Sequence, residues 1–148
     1  MVNDSIKITG DVKIDIIGAD GSIKDSREIK NLVVTSGKTF IASRMVGTSA
    51  TVMGWMELGT GTTAAAVGDT ALQTAIAGSR VALTSGTSAT NVVTYVASFP
   101  AGTGTGAVTE AGVFNASSAG TMLCRTVFSV VNKGAADAMS ITWTITVS

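Results

Sequence analysis

Histidine is absent and cysteine occurs once in these 148 residues. The two shortages together remove the usual zinc ligand sets and every Ser-His or Cys-His nucleophile arrangement. The lone Cys124 has no partner in the chain for a disulfide, and its place in an alternating apolar run marks it as a small buried hydrophobe. Net charge is missing too, because ten basic residues balance ten acidic ones. A neutral chain lacks the attraction on which nucleic-acid and anionic-membrane binders depend, so neither partner is expected. Charge of either sign is scarce, at 14% of residues against 45% hydrophobic, with a mean hydropathy of +0.44. That balance excludes a disordered chain and leaves a surface poorly protected against self-association, so an oligomer or docking onto something larger is expected. No apolar run approaches membrane-spanning length, and Met1-Val2-Asn3-Asp4-Ser5 has neither the basic start nor the apolar core of a signal peptide. Synthesis in a cytoplasm is therefore expected, and Asn115-Ala116-Ser117, which spells a glycosylation acceptor, reads as chance.

What the chain does have is strand pattern. From Ile6 to Ile16, Ile6, Ile8, Val12, Ile14 and Ile16 alternate with Lys7, Thr9, Asp11, Lys13 and Asp15, a half-buried strand. Gly18-Ala19-Asp20-Gly21-Ser22 turns the chain, and Ile23 to Ile29 returns as the second half of a hairpin. Eleven of the twenty charged residues fall in residues 1–30, which marks this hairpin as a charged arm ahead of a neutral body at 31–148, within one domain. Asn31-Leu32-Val33-Val34 leads to Thr35-Ser36, a cap for a helix from Gly37 to Met45 that Gly47-Thr48-Ser49 ends.

The stretch from Met53 to Arg80 is the centre of the pattern. An apolar strand runs into Gly59-Thr60-Gly61-Thr62, and Asp69 is placed to cap a second, short helical turn before Arg80 opens the next strand. Runs at Arg80–Thr84, Asn91–Phe99, Val108–Phe114, Thr121–Val131 and Met139–Val147 follow, separated by Ser85-Gly86-Thr87-Ser88, a Gly/Thr loop after Pro100, Asn115–Gly120 and Asn132-Lys133-Gly134. With no crossover helix between them, these strands predict an antiparallel β-sandwich or jelly-roll-like domain carrying one or two short helices.

Several segments imitate sites. Ser36-Gly37-Lys38-Thr39 opens a helix after an apolar strand, where a phosphate loop belongs, but Leu32 stands where that loop needs glycine, and no strand ends in the aspartate that would hold magnesium. Gly59-Thr60-Gly61-Thr62-Thr63-Ala64 and Gly102-Thr103-Gly104-Thr105-Gly106 open no long helix in a βαβ unit. The acids of the body, Glu57, Asp69, Glu110 and Asp137, are scattered singly; Asp69 is explained by capping and Glu110 by pairing with Arg80 or Arg125 at a sheet rim. Trp55, Trp143, Tyr95 and the four phenylalanines sit mostly in alternating runs and read as core. No catalytic, cofactor-binding or metal-binding residue is expected.

Asn31-Leu32-Val33-Val34, Gly37, Met56-Glu57-Leu58-Gly59-Thr60-Gly61-Thr62, Asp69-Thr70-Ala71-Leu72, Thr109-Glu110-Ala111-Gly112-Val113-Phe114-Asn115, Arg125, Phe128 and Ile141-Thr142-Trp143-Thr144-Ile145 form a succession that covers most of the chain. It resembles small virion proteins of tailed bacteriophages, the capsid decoration (cement) proteins and head- or tail-fibre-like structural proteins. The resemblance implies a β-sandwich that assembles as a trimer on the particle, and structural roles for Leu58, Gly59, Gly61, Asp69, Leu72, Glu110, Gly112 and Arg125. It also implies a non-enzymatic protein on the capsid surface, with the major capsid protein shell and further copies of itself as partners; the charge density of the residue 1–30 hairpin, which can fix register, makes it the candidate contact. A tail- or fibre-associated module that binds host carbohydrate through Thr/Ser/Asn-rich loops and an exposed aromatic is the alternative expectation. An enzyme built on the four acids ranks third.

Overall fold

The computed structural model describes residues 4–47 and 51–148. The expected chain start at Met1–Asn3 and the helix end at Thr48 and Ser49 lie outside the described residues. Ten strands and one helix follow in the order β1 (Ile8–Ile17), β2 (Ile23–Lys30), β3 (Leu32–Val33), α1 (Thr35–Met45), β4 (Trp55–Gly59), β5 (Val81–Ala82), β6 (Ser85–Ala89), β7 (Val92–Phe99), β8 (Gly106–Phe114), β9 (Met122–Lys133) and β10 (Ala138–Val147). They form two five-stranded antiparallel sheets, β2-β1-β10-β7-β6 and β3-β9-β8-β4-β5. The chain is an all-β sandwich.

Alternation creates the core. Val12, Ile14 and Ile16 of β1 and Met139, Ile141, Trp143 and Ile145 of β10 are buried from the first sheet. They pack with Met56 and Leu58 of β4, Val108, Ala111 and Val113 of β8, and Leu123, Cys124, Phe128 and Val131 of β9 from the second. The polar partners in β10, Ser140, Thr142, Thr144 and Thr146, lie on the opposite, half-buried face.

The hairpin forms as expected, but it is not an arm. Asp20 closes its turn by accepting from the Ser22 amide at 2.9 Å and the Ser22 hydroxyl at 2.6 Å, and Gly21 takes the positive φ of 82° that the turn requires. Strand β1, however, lies between β2 and β10, in register from Ile8 opposite Val147 to Ile17 opposite Ala138. Its apolar face is core, so no structural boundary falls at residue 30. The charges belong to the outward face and to β2, where Arg27 pairs with Asp25 and reaches the Ser129 carbonyl at 2.7 Å, Lys30 pairs with Asp11, and Lys24 reaches Asp137 at 3.0 Å.

Three further expectations are corrected. Helix α1 begins at Thr35, and Val34 stands at its N-cap with no side-chain capping bond. Ser36 instead donates to the Met122 carbonyl at 2.9 Å, which ties the first turn to β9. The second helical turn does not form, since residues 60–79 are turns carrying one bridge between Gly59 and Ala75. Ser85-Gly86-Thr87-Ser88, expected as a turn, is most of strand β6, paired with β7 from Ser85 opposite Val96 to Ala89 opposite Val92. Pairing supplied by the long β7 outweighs the weak strand propensity of Ser and Gly.

Candidate functional site

The outer face of the second sheet is covered by residues 60–79, and that cover brings the charged groups of the body together. Successive residues of β8 face opposite ways: Ala111 and Val113 enter the sandwich, while Glu110, Gly112 and Phe114 face the cover. Leu72 descends from the cover onto Phe114, Met122 and Val34 as a second, smaller apolar cluster. Gly112 makes room for it, since a Cβ there would lie 3.0 Å from both Leu72 and Phe114.

Glu110 is fully buried. Its Oε1 accepts from the amides of Gly61 at 3.0 Å and Thr74 at 2.7 Å, and its Oε2 from the Gln73 amide at 3.0 Å and Arg125 Nε at 2.9 Å. Arg125, 2% exposed, spends its other nitrogens on Asp69 at 2.7 Å and the Thr63 carbonyl at 3.0 Å. Asp69 also accepts from the Ala66 amide at 2.9 Å, so it caps a turn rather than a helix. The two glycines of Gly59-Thr60-Gly61 are required here, because a Cβ on either would lie 2.5 Å from Glu110 Oε1. Thr109 donates to the Gly61 carbonyl at 2.8 Å, and the Gln73 side chain bridges the Thr63 amide and hydroxyl.

Burial alone would push the Glu110 carboxyl up, but the amides of Thr74, Gln73 and Gly61 with the Arg125 guanidinium outweigh it and hold the group below its ordinary value. The Ala66 amide, joined by Arg125, holds Asp69 down in the same way. Glu110 is thus an ionised carboxylate with both oxygens saturated by donors and closed off from solvent. Both of its oxygens are committed to the loop and to Arg125. The expected partner of Glu110 is resolved as Arg125, and the pair lies under the cover rather than at a rim.

Arg80 goes elsewhere. It lies 3.7 Å above the Phe114 ring, pairs with Glu57 at 2.7 Å and donates to the carbonyls of Ala116 and Ala119. Asp137 accepts from Lys24 and from the Gly134 amide at 2.9 Å, and Lys24 is the main cause of its lowered pKa. The four acids of the body therefore divide among three separate places, and only Asp69 and Glu110 meet.

Two features were missed. Lys133, read as part of the break after Val131, ends β9 with 1% exposure and donates to the carbonyls of Pro100 at 3.0 Å and Asp137 at 2.7 Å. Burial pushes its ammonium down while Asp137 pushes it back up. A lysine beside glycine carries no sequence signal of burial. Gly37 is the second: a Cβ there would lie 2.1 Å from the Leu123 carbonyl, so the glycine of the phosphate-loop imitation lets α1 lie against β9.

A concavity of about 620 Å³ opens between α1 and residues 67–70 and is lined by Thr35, Thr39, Phe40, Val67, Thr70 and Thr121 among others, none of them ionisable. Among the described residues no group of three or more Asp, Glu, His or Cys is placed to hold a metal, and no helix is long and apolar enough to cross a membrane. No family model, no curated protein and no solved structure matches this chain.

Proposed function

We propose that this chain is a non-enzymatic bacteriophage virion protein of the capsid-decoration type. In this reading it assembles as a trimer on the outer surface of the head, against the major capsid protein, and stabilises the shell. The supporting observation is the convergence of Gly59, Gly61, Asp69, Leu72, Glu110, Gly112 and Arg125 where residues 60–79 are fixed onto the second sheet, with Leu58 packed in the core on the other face of that sheet. These residues carry the resemblance to such proteins. In this reading the residues serve a scaffold rather than a reaction. Binding across sites that exist only between assembled subunits favours the assembled state by mass action, and a trimer suits a threefold axis of a shell. The charged outer strand β2 offers alternating signs to fix register against such a surface.

The carbohydrate-binding alternative draws less support. Trp143, Phe99, Phe114 and Phe128 are buried, and Trp55, Tyr95 and Phe40 are half-buried, so no aromatic ring stands out as a shelf for a sugar. Co-sedimentation separates the two readings. The purified chain is expected to pellet saturably with assembled heads and not with free shell subunits, whereas saturable binding to host glycans without binding to heads would refute the proposal.

A further inference from the structure

The two sheets have four edges, and three are protected. Strands β3 and β5 are two residues long, and β2 carries Lys24, Asp25, Arg27, Glu28 and Lys30 along its length. The fourth edge, β6, is Ser85-Gly86-Thr87-Ser88-Ala89, with all five residues exposed and neither charge nor proline among them. Among the described residues it bonds only to β7, which leaves the outward amides and carbonyls of a strand about 17 Å long for pairing.

We propose that β6 pairs antiparallel with β6 of a second copy of this chain, joining two five-stranded sheets into one continuous sheet about a twofold axis at Thr87. The sequence is self-complementary about that axis. Ser85 falls opposite Ala89, Gly86 opposite Ser88 and Thr87 opposite its own copy, so small uncharged side chains meet throughout and a Thr–Thr pair stands at the centre. A charged peptide gains nothing from such an edge, whereas a neutral copy meets no repulsion. Five residues of strand fall short of the roughly 800 Å² per partner of a specific interface. The surface alongside supplies more: a concavity of about 310 Å³ lies against Gly86, Thr87 and Ser88 and is walled by Phe40, Val52, Met53 and Tyr95, with Arg44 its one charged residue among the described residues. Val52, 58% exposed, would be covered in the pair. An isologous contact is twofold, so it adds to a threefold assembly rather than replacing it, and a lattice with both axes accommodates both. The inference stands on the edge geometry and does not depend on the proposed function.

The test is site-directed cross-linking together with sedimentation of the full chain. Under oxidation Thr87→Cys is expected to give a disulfide-linked pair, while Ser117→Cys, on the exposed 116–120 loop, is not. Mixed Ser85→Cys and Ala89→Cys chains are expected to cross-link to each other more than either does alone. Thr87→Lys, a surface change that leaves the far-ultraviolet circular dichroism unchanged, is expected to halve the sedimenting mass. Equal cross-linking at positions 87 and 117, an unchanged mass for Thr87→Lys, or a wild-type chain with no twofold association at its highest attainable concentration would overturn the proposal.

Discussion

Replacing Glu110 with glutamine tests whether the buried carboxylate is the pin that holds residues 60–79 onto the second sheet. The substitution keeps shape and volume but turns one oxygen into an NH2 group. Each carboxylate oxygen accepts two hydrogen bonds, from Gly61 and Thr74 on one side and from Gln73 and Arg125 on the other. Either orientation of the amide therefore sets a donor against two donors. Removing one partner of a buried ion pair costs roughly 3–5 kcal/mol, and Asp69, which still neutralises Arg125, places this case near the lower end at about 3 kcal/mol. For a chain of this size that corresponds to a fall in Tm of about 6–12 °C. Chemical denaturation is expected to show a lower midpoint with an unchanged slope. The double variant Glu110→Gln with Arg125→Met should lose less than the sum of the two single changes, because the second removes the charge that the first strands. A loss below about 1 kcal/mol, or strict additivity, would refute the role assigned to the pair.

Acid should release the same pin. Glu110, Asp69 and Asp137 all have folded pKa values held below their ordinary ones, so their contribution is complete above the unfolded carboxylate range and disappears as pH falls through the folded values. Stability measured by thermal melts is expected to drop below about pH 4, and the drop should be smaller in Glu110→Gln. Gly37→Ala, harmless in an isolated helix, should destabilise by about 1–3 kcal/mol because the new methyl meets the Leu123 carbonyl; equal or higher stability would contradict the close approach of α1 to β9. Deleting residues 2–30 should abolish folding rather than leave a sandwich that no longer docks. It removes Val12, Ile14 and Ile16, each worth about 1.5–3 kcal/mol of burial, and bares the edge of β10. A cooperative melt of the truncated chain would show the hairpin to be dispensable.

Period-two alternation made most of the strands legible, and β10 and β1 match their patterns nearly residue for residue, because a sandwich has one apolar face per strand. The same pattern does not record which strands are neighbours. The charges on β1 and β2 suggested a free arm, yet one face of β1 is as apolar as any core strand, and its pairing with β10 spans more than a hundred residues. Strand β6 was missed because its five small residues have no alternation to detect; its state is imposed by β7. At the candidate site the individual signals were present: two glycines with a single residue between them, an isolated glutamate and an isolated arginine. Their convergence depends on a 49-residue separation between Gly61 and Glu110 that local pattern does not encode. Asp69 illustrates the same limit, since the side chain that suits a helix cap suits an open turn equally well.

Copy number in purified phage particles tests the account most directly, as the stoichiometry of this chain against the major shell protein. A ratio comparable to that of the shell subunit is the result predicted for a decoration protein that covers the lattice. A ratio limited to the few positions around a tail, or absence from the particle, would contradict it.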